Sequence, residues 1–105
     1  MTRDIPLRER KLKKRIEDDP SRRAIVEAEF PAPAGTPEFK DGYRECIRLY
    51  ALHAPDKRGV AKKLDDNLLL LEQECLRAGM NRDALARYEG YRQAMKNLRA
   101  AKRTR

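Results

Sequence analysis

Apolar side chains recur along this chain at the spacing of a helix face in three successive stretches. Phe39, Tyr43, Cys46 and Tyr50 stand at intervals of four, three and four, with Ile47 and Ala54 widening the stripe. Ala61, Leu64, Leu68, Leu71, Cys75 and Ala78 follow at three, four, three, four and three. Ala84, Tyr88, Tyr91, Met95 and Leu98 then repeat at four, three, four and three. Start and stop residues bracket each stretch. Thr36-Pro37-Glu38 supplies an N-cap, a proline suited to the first helical position and an acid suited to the helix dipole. Pro55 ends the first helix at Ala54, because it disfavours a helical residue before it. The second helix begins within 56–60 and stops at Gly79; Asn81 caps the third, with Asp83 in its first turn. No alternating apolar run of strand length competes. The expected fold class is all-α, a small antiparallel three-helix bundle over residues 38–100.

The segments outside that bundle have a different character. Residues 1–30 form a basic N-terminal arm with one or two short helices. Ile5, Leu12 and Ile16 predict a marginal first helix that Asp19-Pro20 stops, and Asp19 caps a second short piece reaching Phe30. Residues 31–37, Pro-Ala-Pro-Ala-Gly-Thr-Pro, are a linker, since three prolines and a glycine in seven residues sustain neither helix nor central strand. Residues 101–105 are a basic tail.

Four consecutive leucines, Leu68 to Leu71, point all the way round a helix. Leu64, Leu68 and Leu71 fill one face; Leu69 and Leu76, seven apart, make a second stripe that a lone three-helix bundle leaves partly wet. A domain near 60 residues is often marginal alone, so this stripe is expected to be an oligomer interface. The alternative is that the N-terminal helix folds back and covers it with Ile25, Val26 and Phe30.

Composition narrows the function classes. The 105 residues allow one compact domain and exclude a two-lobed enzyme. With 40% charged residues and a mean hydropathy of -0.91, the chain has no apolar run near the ~20 residues a membrane span needs. No apolar segment follows the basic start, so no secretory signal is expected and the compartment is read as cytoplasmic. Two cysteines are expected as reduced thiols. The net charge of +8 is unevenly placed. Residues 1–23 carry nine basic and five acidic side chains, residues 92–105 six basic and none acidic, and residues 24–91 ten basic and twelve acidic. The excess lies wholly at the ends. It fits either phosphate-contacting arms or tails charged for solubility.

Chemistry-bearing constellations are sparse. No glycine-rich phosphate loop occurs. His53 lies seven residues from Cys46, ~10.5 Å along one helix, too far for a thiol–imidazole pair or for two ligands of one metal. Both cysteines fall on core stripes, and His53 suits a helix C-terminus. The pairs Glu27/Glu29, Asp65/Asp66 and Glu72/Glu74 point apart on a helix and are read as solvated. Tyr88 and Tyr91, flanked by Arg87 and Arg92, are read as core rather than as stacking platforms. Gly59-Val-Ala-Lys-Lys-Leu64 is similar to the first half of a helix-turn-helix, but the helical rhythm continues unbroken to Ala78 where that motif needs a turn. No enzyme, metal or cofactor is expected.

From Phe30 onward the layout resembles the small terminase subunits of tailed bacteriophages and related gene-transfer particles. The resemblance rests on the Pro-rich lead-in Pro31-Ala-Pro33 with Thr36-Pro37-Glu38, and on the aromatic-bearing helix Tyr43 to Leu52. It continues through the run Leu64-Asp65-Asp66-Asn67-Leu68-Leu69-Leu70-Leu71 and the Tyr/Ala-rich helix Ala84 to Leu98. Many such subunits carry an N-terminal helix-turn-helix; this chain has a basic arm instead. The resemblance implies a ring-forming, non-enzymatic packaging factor that brings DNA to a motor ATPase.

The expectation is therefore a homo-oligomeric helical adaptor that holds nucleic acid, DNA rather than RNA, through its basic ends. Arg8, Arg10, Lys11, Lys13, Lys14, Arg15, Lys102, Arg103 and Arg105 would contact phosphates, and Leu69 and Leu76 would join subunits. The alternative is a protein-binding module, such as a phage-encoded inhibitor or regulatory adaptor, that uses the leucine stripe.

Overall fold

The structure, a computed structural model, describes residues 18–103. Among these the secondary structure is all-helical: α1 (Pro20–Glu29), α2 (Pro37–His53), α3 (Val60–Arg77) and α4 (Arg82–Arg103). Each boundary has a local cause. The Asp19 carboxylate accepts from the backbone N–H groups of Ser21 and Arg22 at 3.0 and 3.3 Å, and Pro20 opens α1. Thr36 Oγ1 accepts from Phe39 N–H at 3.2 Å and caps α2. Asn81 Oδ1 accepts from Asp83 and Ala84, at 2.8 and 3.3 Å, ahead of α4.

The two connections differ in their chemistry. Between α2 and α3, Asp56 organises a turn by accepting Gly59 N–H at its side chain, 3.0 Å, and Val60 N–H at its carbonyl, 3.0 Å. That turn delays α3 to Val60. After α3, Gly79 adopts a φ of 68° and Met80 one of 60°. Their N–H groups donate to Leu76 O and Cys75 O, closing the helix with a left-handed cap.

Side-chain partners give the helix directions. Tyr88 meets Glu72, Tyr91 meets Leu64 and Arg99 meets Asp65, so α3 and α4 are antiparallel. Asn67 meets Glu45 near the middle of α2, while Val60 and Ala61 lie with Tyr50 and Ala54 near its end, so α3 is antiparallel to α2 as well. Helices α2 and α4 thus run the same way, and they form the most extensive helix pair, with Gly42 and Gly90 at their closest approach.

The core follows the predicted stripes. Tyr43, Cys46, Ile47, Leu64, Leu71, Tyr91, Met95 and Leu98 are buried together, joined by Val60 and Ala94. Ala61 and Ala78, the ends of the predicted α3 stripe, are exposed instead. Polar groups inside this core are satisfied by one another. Tyr91 Oη donates to Leu64 O at 2.8 Å, and Asn97 Nδ2 donates to Tyr43 Oη at 2.9 Å. The Glu45 carboxylate receives Arg87 from α4 at 2.6 Å and Asn67 from α3 at 2.8 Å, tying three helices at one point.

Helix α1 docks on α2. Arg22 Nε donates to Ala51 O at 2.8 Å, Arg48 pairs with Glu27 at 3.3 Å, and Val26 and Phe30 pack against the core. The helix predicted within the first 30 residues therefore packs on the bundle over Pro20–Glu29 and leaves the outer face of α3 uncovered. Helix α4 continues to Arg103, past the predicted end near residue 100, because the sequence holds no glycine or proline there to stop it.

Candidate functional site

Two surfaces stand out, one basic and one apolar. The basic surface lies on α4. Arg92, Lys96 and Arg99 recur at four and three, so they share one helix face, and all three are exposed. Lys102, also exposed, extends the row by a further turn. Arg92 lies over the Tyr88 ring at 5.7 Å, and Tyr88 Oη donates to Glu72 at 3.2 Å. Arg99 lies 3.9 Å from Asp65 with both side chains largely exposed, a pair of little net strength. Lys96 and Lys102 have no carboxylate partner among the described residues.

Of the predicted phosphate-contacting residues, the structure places Lys102 on this helix and Arg103 at its last position. Arg8, Arg10, Lys11, Lys13, Lys14, Arg15 and Arg105 lie outside the described residues. Arg92, Lys96 and Arg99 were missed as site residues. Their signal was present in the 92–105 charge excess, but only the continuation of α4 to Arg103 turns that excess from a tail into a face.

The apolar surface is the outward side of α3. Leu69, Leu70, Leu76 and Met80 are 53, 55, 63 and 54% exposed. Leu69 and Leu76, the expected interface pair, are thus open to solvent rather than covered by α1. Only Val60, Leu64, Leu71 and Cys75 of the 18 residues of α3 are buried, so this helix is held by a narrow stripe.

The groups that carry catalysis in other proteins are placed differently here. Cys46 and Cys75 are free and buried. Burial, reinforced by the Glu45 charge, pushes the Cys46 thiol from its ordinary 9.0 up to about 12, so it remains a neutral core group at physiological pH. Burial also pushes the Tyr91 phenol upward. Among the described residues, no group of three or more His, Cys, Asp or Glu side chains is placed to hold a metal ion, and no helix is long and apolar enough to cross a membrane.

A groove of about 540 Å³ separates the two surfaces, between α1, the α2–α3 turn and the end of α4. Val26, Phe30, Tyr50, Leu64, Met95 and Leu98 form its floor; Lys57, Arg99 and Lys102 stand on its rim with Glu29 and Asp65. A second cavity lies among Asp18, Arg23, Asp41, Glu45, Arg48 and Arg87, where cations and acids alternate. No protein-family model, no curated protein and no solved structure matches this chain.

Proposed function

We propose that the chain is a non-enzymatic, self-associating helical adaptor that binds DNA with little sequence preference through its basic ends. The observation that carries this reading is the exposed row Arg92, Lys96, Arg99 and Lys102 on α4, within a stretch of six basic and no acidic residues. Such a row neutralises phosphates without reading base edges, because nothing in it is fixed for bidentate contact. The N-terminal cluster from Arg8 to Arg15 would add phosphate contacts of the same kind. In this reading α2, α3 and α4 are a three-helix bundle that assembles, and α1 with the residues before it is the arm. The sequence layout supports a place in viral-type DNA packaging as a small terminase subunit, handing DNA to a motor ATPase.

The test is a fluorescence-anisotropy titration of a labelled random-sequence DNA duplex, a single strand and an RNA duplex with the full chain at low salt. Binding of duplex DNA that is insensitive to sequence supports the reading. No binding to any of the three overturns it.

A further inference from the structure

The exposed leucine face of α3 and the groove beside α4 are opposite in charge. Residues 64–76 contain Asp65, Asp66, Glu72 and Glu74 and no lysine or arginine. The acids therefore surround Leu69, Leu70 and Leu76, which are more than half exposed. The groove has the reverse composition, an apolar floor edged by Lys57, Arg99 and Lys102 against Glu29 and Asp65. Lys57 and Lys102 have no carboxylate partner among the described residues. The groove is on the scale of clefts that take apolar groups, ~300–1,000 Å³.

We infer that the leucine face of α3 in one copy of the chain seats in the groove of the next copy, in a head-to-tail contact. This rests on the self-association in the function proposed above, and it specifies which surfaces meet. Charge selects the arrangement. Two α3 faces packed on each other would set Asp66, Glu72 and Glu74 of one copy against the same acids of the other. Two grooves packed together would oppose Lys57 and Lys102 with themselves. Residues 1–17 carry seven basic and three acidic side chains, the same sign as the groove rim, so they are the wrong occupant. Only face-to-groove contact places acids against cations and leucines against an apolar floor at once.

The α3 acids have intramolecular contacts that such an interface can replace. Asp66 pairs with Lys62 at 3.2 Å, Glu74 with Arg87 at 3.7 Å, and Glu72 accepts from Tyr88 at 3.2 Å. All are surface contacts, which contribute little and are readily exchanged for an interfacial partner. Face and groove share only Asp65, so one copy can use both at the same time. A contact between two different surfaces is heterologous, and it builds a closed ring or an open filament rather than stopping at a dimer.

The test uses two full-length variants that each lose one surface. Leu69→Glu/Leu76→Glu removes the face, and Lys57→Glu/Lys102→Glu removes the groove rim; all four positions are exposed. Native mass is read by light scattering after size exclusion, with circular dichroism to confirm unchanged helix content. If the face variant unfolds, Leu69→Ser/Leu76→Ser takes its place. The wild type is expected to exceed a dimer, and each variant alone to fall to the 12.2 kDa monomer. An equimolar mixture is expected to form a one-to-one heterodimer and stop there, because only one complementary interface remains. A groove variant that assembles like the wild type, a mixture that stays monomeric, or a monomeric wild type overturns the inference. DNA binding is separable, since the face variant keeps Arg92, Lys96 and Arg99.

Discussion

Gly42 on α2 and Gly90 on α4 each stand where the other helix's backbone passes. A β-carbon on Gly42 would overlap the Arg87 carbonyl, and one on Gly90 would overlap the carbonyl of Phe39. The two glycines make the close approach reciprocal, and that approach sets Tyr43 and Cys46 against Tyr91 and Asn97 in the core. It also fixes how far α4 projects its basic row from the bundle.

Gly42→Ala and Gly90→Ala should therefore each destabilise the fold. Alanine is the better helix former by about 1 kcal/mol. Displacing a packed backbone costs about 1–3 kcal/mol, and no flexible side chain is there to give way. In a domain of this size each lost kcal/mol lowers Tm by roughly 4–8 °C. Thermal melts followed by circular dichroism measure this, and a higher Tm in either variant would refute the packing described.

Stability should fall at alkaline pH through Cys46. The thiol's pKa is higher in the folded chain, about 12, than its ordinary 9.0. The folded state therefore holds the proton where the unfolded state releases it. The contribution is fully present below pH 9 and is lost as pH rises toward 12, at up to about 1.4 kcal/mol per pH unit. Tyr91, whose pKa burial also raises, acts in the same direction. Guanidinium unfolding between pH 8 and 11 measures the slope, which Cys46→Ala should make shallower; an unchanged slope would place the thiol outside the core.

Tyr91→Phe removes the only side-chain hydrogen bond printed on the Leu64 carbonyl from α4 while keeping the ring in place. The carbonyl retains its helical partner, so the expected cost is about 0.5–1.5 kcal/mol rather than that of an orphaned buried group. Chemical denaturation with an unchanged m-value checks it. A loss above about 3 kcal/mol would mean that the ring itself had moved.

Much of this architecture was legible in the sequence because it depends on local rules. Asp19, Thr36 and Asn81 cap where their side chains permit, Gly79 takes the left-handed position, and large apolar residues spaced by three and four face inward. What was not legible depends on which helices touch. Periodicity tracks large side chains, so it passes over Gly42 and Gly90, whose role is to have none. Glu45 looked like any exposed acid until Arg87 and Asn67 arrived from two other helices. The charge excess over 92–105 was visible as a sum, but Arg92, Lys96 and Arg99 became a face only when α4 ran on to Arg103. Leu69 and Leu76 were legible as a second stripe; that α1 would leave them open followed from its docking on α2.

The central claim is that α4 grips a polyanion by phosphate neutralisation. The most direct measurement is the salt dependence of duplex-DNA affinity for the full chain and for an Arg92→Gln/Lys96→Gln/Arg99→Gln variant. The account predicts that log affinity falls linearly with log salt, and that the variant's slope is shallower by about 0.9 for each phosphate contact removed. Parallel lines for the two proteins, or an affinity indifferent to salt, would contradict it.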